Sequence, residues 1–147
     1  MPTKFTKALL TKVAVKANEL AVLKWEGIVA KGKFCPTPPD LLTLSEVLYS
    51  TCSYCALFKY CTNCPMLNNN SSCNSAAHPW QQWNWEPSKE NAEKVLLRVK
   101  QVTTDNVVLS LKAKLKKSAS VNKYPNNIDK LTREALSTFI KAFHIEE

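Results

Sequence analysis

Glycine is nearly absent from this 147-residue chain: Gly27 and Gly32 are its only two. Tight hairpin turns draw on glycine for backbone angles that other residues resist. A fold rich in β-hairpins is therefore disfavoured, and helices joined by Asn, Pro and Ser loops fit better. The same scarcity removes any glycine-rich loop able to cradle a phosphate. Histidine is equally scarce, with only His78 and His144. His78 precedes Pro79 and follows Cys73 by five positions, but no local carboxylate stands ready to orient a Cys–His pair. Asp and Glu are scattered without metal spacing. These gaps predict a protein that is not an enzyme.

Long hydrophobic runs are also lacking. Lys4, Lys7, Lys12 and Lys16 break up the apolar residues at the N-terminus before a secretory core can form. No run approaches the roughly 18 apolar residues of a membrane span. The expectation is a protein of the reducing cytoplasm that makes no use of a membrane, where clustered cysteines hold metal more often than they pair as disulfides.

What the chain does have is sulfur in one place. Five of its six cysteines lie between Cys52 and Cys73. They are spaced as Cys52-x2-Cys55 and Cys61-x2-Cys64, with Cys73 beyond. Each C-x2-C turn points two sulfurs at a common centre, so two turns together match a four-sulfur zinc site. Only five residues separate the pairs, which is close for a zinc site and leaves room for Cys73, or His78, to replace one ligand. An iron–sulfur cluster is the alternative, although the ferredoxin run C-x2-C-x2-C-x3-C-P is not matched here. Disulfides or reduced thiols come next. A thioredoxin-type redox role for Cys52 and Cys55 shares the spacing but needs a βαβ unit, and none is visible.

Around the cysteines the pattern is helical. Leu9, Leu10, Val13, Ala17, Leu20, Leu23 and Ile28 recur at steps of three and four, predicting a helix over 4–30 that ends near Gly27 and Gly32. The three prolines of residues 34–40 force a loop that contains Cys35. Asp40 is a candidate cap for a helix with Leu41, Leu44 and Leu48 on its buried side, running toward Cys52. Ser88 looks like the N-cap of a helix carrying Ala92, Val95, Leu96, Val99 and Val102, with Glu90 and Lys94 as an i,i+4 pair. Residues 106–117 alternate like a strand but also fit a helix, and helix is preferred because no partner strand is in sight. A last helix from about Asn127 ends on two glutamates that oppose its dipole, so its tip should fray.

The formal net charge is +8. Residues 88–117 hold eight cations against Glu90, Glu93 and Asp105, a surplus of five. Lys94 and Arg98 share a helical stripe, and Lys112, Lys114, Lys116 and Lys117 follow. With Trp80, Trp83 and Trp85 nearby, a sequence-independent nucleic-acid surface can be drawn, with cations on phosphates and indoles stacked on bases. The plainer reading makes the lysines a solvated face and the tryptophans a small core over the cysteine loop.

The order K24-W-E-G-I-V29, C52-x2-C55-A-L, C61-x2-C64-P65, Cys73 and an H-P-W segment with Trp83 resembles a family of small cysteine-rich proteins of bacteriophages and prophages. The likeness covers roughly residues 8–102. It departs at the Pro-rich insert with Cys35, at His78 and in the extra C-terminal helix. It implies a phage-type accessory protein acting in the host cytoplasm on a host or phage protein, and it transfers no catalytic residue.

The sequence thus predicts a mostly α, small single domain of four or five helices with a metal-stapled, cysteine-rich loop region. Residues 1–117 form the helical domain, with the metal-binding insert at 52–85. Residues 118–147 add a linker and an amphipathic helix that packs on or extends it.

Overall fold

The computed structural model describes residues 5–33, 35–58, 64–66, 78–117 and 128–146, with side chains for all but 116–117 and 128–131 of these. Seven α-helices and no strand occur among the described residues. The helical expectation holds, with more and shorter helices than the four or five predicted.

The spine is α1, Lys7–Lys31, a helix of 25 residues and so about 37 Å long. Thr6 starts it, its hydroxyl accepting from the Leu9 N–H at 3.2 Å. Leu10, Val13, Ala14, Ala17, Leu20, Ala21 and Trp25 form its buried stripe. Three of these are alanines, which let neighbouring helices approach closely. The helix ends at Gly32, where φ is 84° and the N–H returns to the Ile28 carbonyl. Gly27 serves packing instead, since a β-carbon there would meet the Cys35 sulfur at 3.0 Å.

The second helix, α2 (Pro39–Leu48), is preceded by Pro38 at the N-cap position, not by Asp40. Pro39 supplies the fixed φ of the first turn. Asp40 lies inside that turn and pairs with Lys16 of α1 at 2.9 Å. Tyr49 stops the helix in the left-handed region, with φ 59°. A separate short helix, α3 (Ser53–Phe58), follows. The stretch Pro39–Phe58 is in fact apolar enough over 20 residues, at a mean hydropathy of 1.3, to match a membrane span by length and composition, contrary to the sequence expectation. The fold breaks it at Tyr49 and buries 44% of its most apolar window.

Residues 79–85, at the end of the insert expected over 52–85 and given no helix there, form α4 (Pro79–Trp85). Next comes α5 (Lys89–Gln101), capped by Ser88, whose hydroxyl accepts from Asn91 N–H at 3.1 Å. The ambiguous region is α6 (Thr104–Lys117), with Thr103 accepting from Asn106 N–H. Val107, Val108 and Leu111 bury one side of it. The last helix, α7 (Ile128–Ala142), buries Ala135, Leu136 and Phe139.

In space α1 lies mainly against α5 and α6, α4 lies on α5, and α7 closes over α2, α3 and α6. The C-terminal helix is therefore part of the core packing. Its tip is tied down more than its charges suggest: Ile145 N–H returns to the Ile140 carbonyl, and Lys12 Nζ donates to the Glu146 carbonyl.

Candidate metal centre

Cys52 and Cys55 lie at the first turn of α3, and the Ala56 N–H bonds to the Cys52 carbonyl at 2.9 Å, so helical geometry already holds at Cys52. Ser50 fixes the entry, its hydroxyl accepting from the Cys52 N–H at 3.1 Å. The rest of α3 is anchored on the spine. The Ser53 hydroxyl donates to the Ala17 carbonyl at 2.7 Å, and the Tyr54 hydroxyl donates to Asn18 Oδ1 at 2.6 Å. Ser53, Tyr54, Ala56, Leu57 and Phe58 are buried, leaving Cys55 exposed and Cys52 half-buried.

A hydrogen bond from the Cys55 thiol is the main influence holding the Cys52 thiol down at about 6, against an ordinary 9.0. Burial opposes this shift, while Lys24 and the backbone N–H groups of Cys55 and Tyr54 reinforce it. Lys24 is held nearby, with Nζ 3.4 Å from Thr51 Oγ1. Burial raises the Tyr54 phenol well above its usual range, and negative charge at Cys52 and Cys64 adds to the effect.

Cys64 is buried, as is Met66 two residues on. Two links tie this tripeptide to the helices. Arg98 Nη2 of α5 donates to the Pro65 carbonyl at 2.9 Å. His78 Nε2 lies 2.7 Å from the Met66 carbonyl, while His78 Nδ1 accepts from the Trp80 N–H at 3.1 Å and so caps α4. The second contact puts the imidazole proton on Nε2, where it donates to Met66. Both ring nitrogens are engaged, so His78 is not placed to replace a sulfur as a metal ligand. Cys35 packs instead against Gly27, its thiol 3.5 Å from the Pro36 carbonyl.

A zinc site of the expected kind needs four donors. Cys52 and Cys55 fit one half of it: adjacent, thiolate-stabilising and on a firmly anchored turn. Cys61 and Cys73 lie outside the described residues. Among the described residues, no three His, Cys, Asp or Glu side chains gather closely enough to hold a metal ion.

The residues drawn as a nucleic-acid surface do not form one stripe. Lys114 is 2% exposed, its ammonium donating to the Phe58 carbonyl at the end of α3 and lying 5.6 Å from the Phe58 ring centroid. This corrects its placement on the surface. Arg98 is half-buried and engaged at Pro65. Trp83 meets Trp25 edge-on at 5.0 Å, and Trp80 also packs on the core. Lys94 is exposed, 4.0 Å from Glu90, and Lys112 is half-exposed. Lys116 and Lys117 close α6, their side chains outside the described set. Trp85, at 64% exposure, is the one described indole turned largely to solvent.

Sequence reasoning missed Lys114, Arg98 and His78 as internal fasteners, and Lys24 as the neighbour of Cys52. Two signals were present. Lys114 follows Val107 and Leu111 by seven and three positions, which places it on the buried face of α6. Proline after His78 is the mark of a helix start.

The contrast between two lysines is directly measurable. Replacing Lys114 by alanine leaves a buried carbonyl unmatched and should cost about 1–3 kcal/mol of unfolding free energy. The same change at exposed Lys94 should stay within about 0.5 kcal/mol. Urea unfolding midpoints of the two variants decide the matter, and equal shifts would place Lys114 in solvent.

Compared with family models, curated proteins and solved structures, the chain matches none of them.

Proposed function

We propose that this protein is a non-enzymatic accessory protein of the phage type, built around a structural zinc site and acting by docking onto a host or phage protein. One observation carries the choice of partner: the groups best suited to phosphate or base contact are spent inside the molecule. Lys114 holds Phe58, Arg98 holds Pro65 and Trp83 packs on Trp25. Among the described residues, what remains outside is a scatter of lysines, such as Lys12, Lys31, Lys89, Lys94 and Lys100, together with exposed apolar side chains such as Leu42, Val47 and Tyr49. Such a mixture suits an acidic protein face with apolar contacts better than a continuous polyanion track.

Cys52 and Cys55 would supply two thiolates to the ion, with the remaining donors drawn from Cys61, Cys64 and Cys73. Bound zinc would contribute folding energy to a segment with little core of its own. Freshly purified protein should contain about one zinc and no iron per chain, and a strong chelator should remove it with loss of cooperative unfolding. Protein that is metal-free from the outset, yet unfolds with the same midpoint in chelator, would overturn the zinc reading. For the partner, capture from host lysate should survive nuclease treatment. Capture abolished by nuclease would restore the nucleic-acid alternative.

A further inference from the structure

We propose that Cys52 and Cys55 form a thiol–disulfide exchange site, which closes into an intramolecular disulfide on meeting a small anionic disulfide such as oxidised glutathione. The geometry comes first. Residues three apart on a helical turn have α-carbons about 5 Å apart. That lies inside the range a disulfide accepts. The turn is helical from Cys52 onward, with the Ala56 N–H on the Cys52 carbonyl at 2.9 Å. Access comes second: Cys55 is exposed and Cys52 half-buried, while Ser53 and Tyr54 between them point inward onto α1. Charge comes third. The ammonium of Lys24 lies 3.4 Å from the hydroxyl of Thr51, the residue before Cys52, and would attract the carboxylates of such a ligand.

The exchange balances without any further reagent. The Cys52 thiolate attacks one sulfur of the incoming disulfide, forming a mixed disulfide and releasing one small thiolate. That thiolate takes the proton of Cys55, whose sulfur then attacks Cys52 and expels the second small thiolate. Two protein thiols are oxidised and one small disulfide is reduced to two thiols. A thioredoxin-like βαβ unit is not involved. The firm seating of α3 on α1 does the positioning that a sheet would otherwise do.

The same sulfurs are half of the zinc ligand set proposed above. Bridging them would therefore release the ion, and only this consequence rests on the zinc reading.

The test treats the full chain, as purified, with oxidised glutathione and follows intact mass, cross-linked peptides and released metal. Wild type should lose two hydrogens, retain no glutathione and show a Cys52–Cys55 peptide cross-link. Cys55→Ser should keep one glutathione on Cys52, and Cys52→Ser should form no cross-link at that turn. Because Cys55 is exposed, its serine variant is expected to stay folded, and circular dichroism checks this. Bridging in protein that never held metal would support the inference and overturn the zinc reading. Retained metal with no bridge under excess oxidised glutathione would overturn the inference and leave the zinc reading standing. Cross-links that exclude the Cys52–Cys55 pair would also overturn it.

Discussion

Replacing Trp25 by alanine should cost about 3–5 kcal/mol of unfolding free energy, the usual range for emptying a buried aromatic site. Domains of this size are typically stable by about 5–15 kcal/mol, so the variant should stand near the edge of folding at 37 °C. Trp25 is 4% exposed, and its ring takes the Trp83 ring edge-on at 5.0 Å with an interplanar angle of 88°. It thus joins the spine to α4, which has no buried residue of its own. Trp83→Ala should lose less, about 0.5–1.5 kcal/mol for the ring pair plus the area of a half-buried side chain. A double-mutant cycle read by urea unfolding measures the coupling directly. A Trp25→Ala midpoint close to wild type would mean that α4 is not held through this contact.

Much of this frame was legible beforehand. The spine and α5 carry apolar residues at helical steps: the spine starts three residues later and ends one later than the expected 4–30, and α5 starts at the expected Ser88 cap. Periodicity failed where helices are short. Residues 79–85 span only two turns, too few for a repeat to declare itself, and no helix was expected there. It also failed where a charge lies on an apolar face. The lysines of α6 alternate so regularly that their rotation about the axis was hidden, yet Lys114 turns inward to a carbonyl 56 positions earlier in the chain. No local pattern encodes a contact made at that distance. The cysteine spacing showed that Cys52 and Cys55 would meet, because three residues of helix suffice for that. It could not show that Arg98 and His78 would hold Pro65 and Met66, since those partners arrive from other helices.

His78 should give the second large effect. His78→Ala removes a helix cap, worth about 0.5–2 kcal/mol, and leaves the buried Met66 carbonyl without its donor, worth about 1–3 kcal/mol. A combined loss of about 2–4 kcal/mol is expected. His78→Asn can still cap α4 but cannot reach Met66, so it should fall between alanine and wild type. Acid should act on the same link. Burial lowers the His78 pKa below the ordinary 6.5, and nearby Arg98 pushes the same way against the pull of the Met66 carbonyl. In the window between the folded value and 6.5, the unfolded chain binds the extra proton and the folded one does not. Stability from this group is therefore complete above pH 6.5 and is lost as pH falls through the folded value. Urea midpoints should drop between pH 7 and pH 5, and the drop should be smaller in His78→Asn. An equal decline in both proteins would assign the acid sensitivity to other groups.

The position of α1 also bears on how the polypeptide is made. Its apolar stripe is covered chiefly by α5 and α6, whose residues leave the ribosome some sixty or more positions later. Until then a long amphipathic rod has only α2 and α3 to lean on, so its leucines and its tryptophan stay accessible to chaperones during synthesis. Acquisition of the native state is in that sense deferred: α1 is translated before the helices that enclose it.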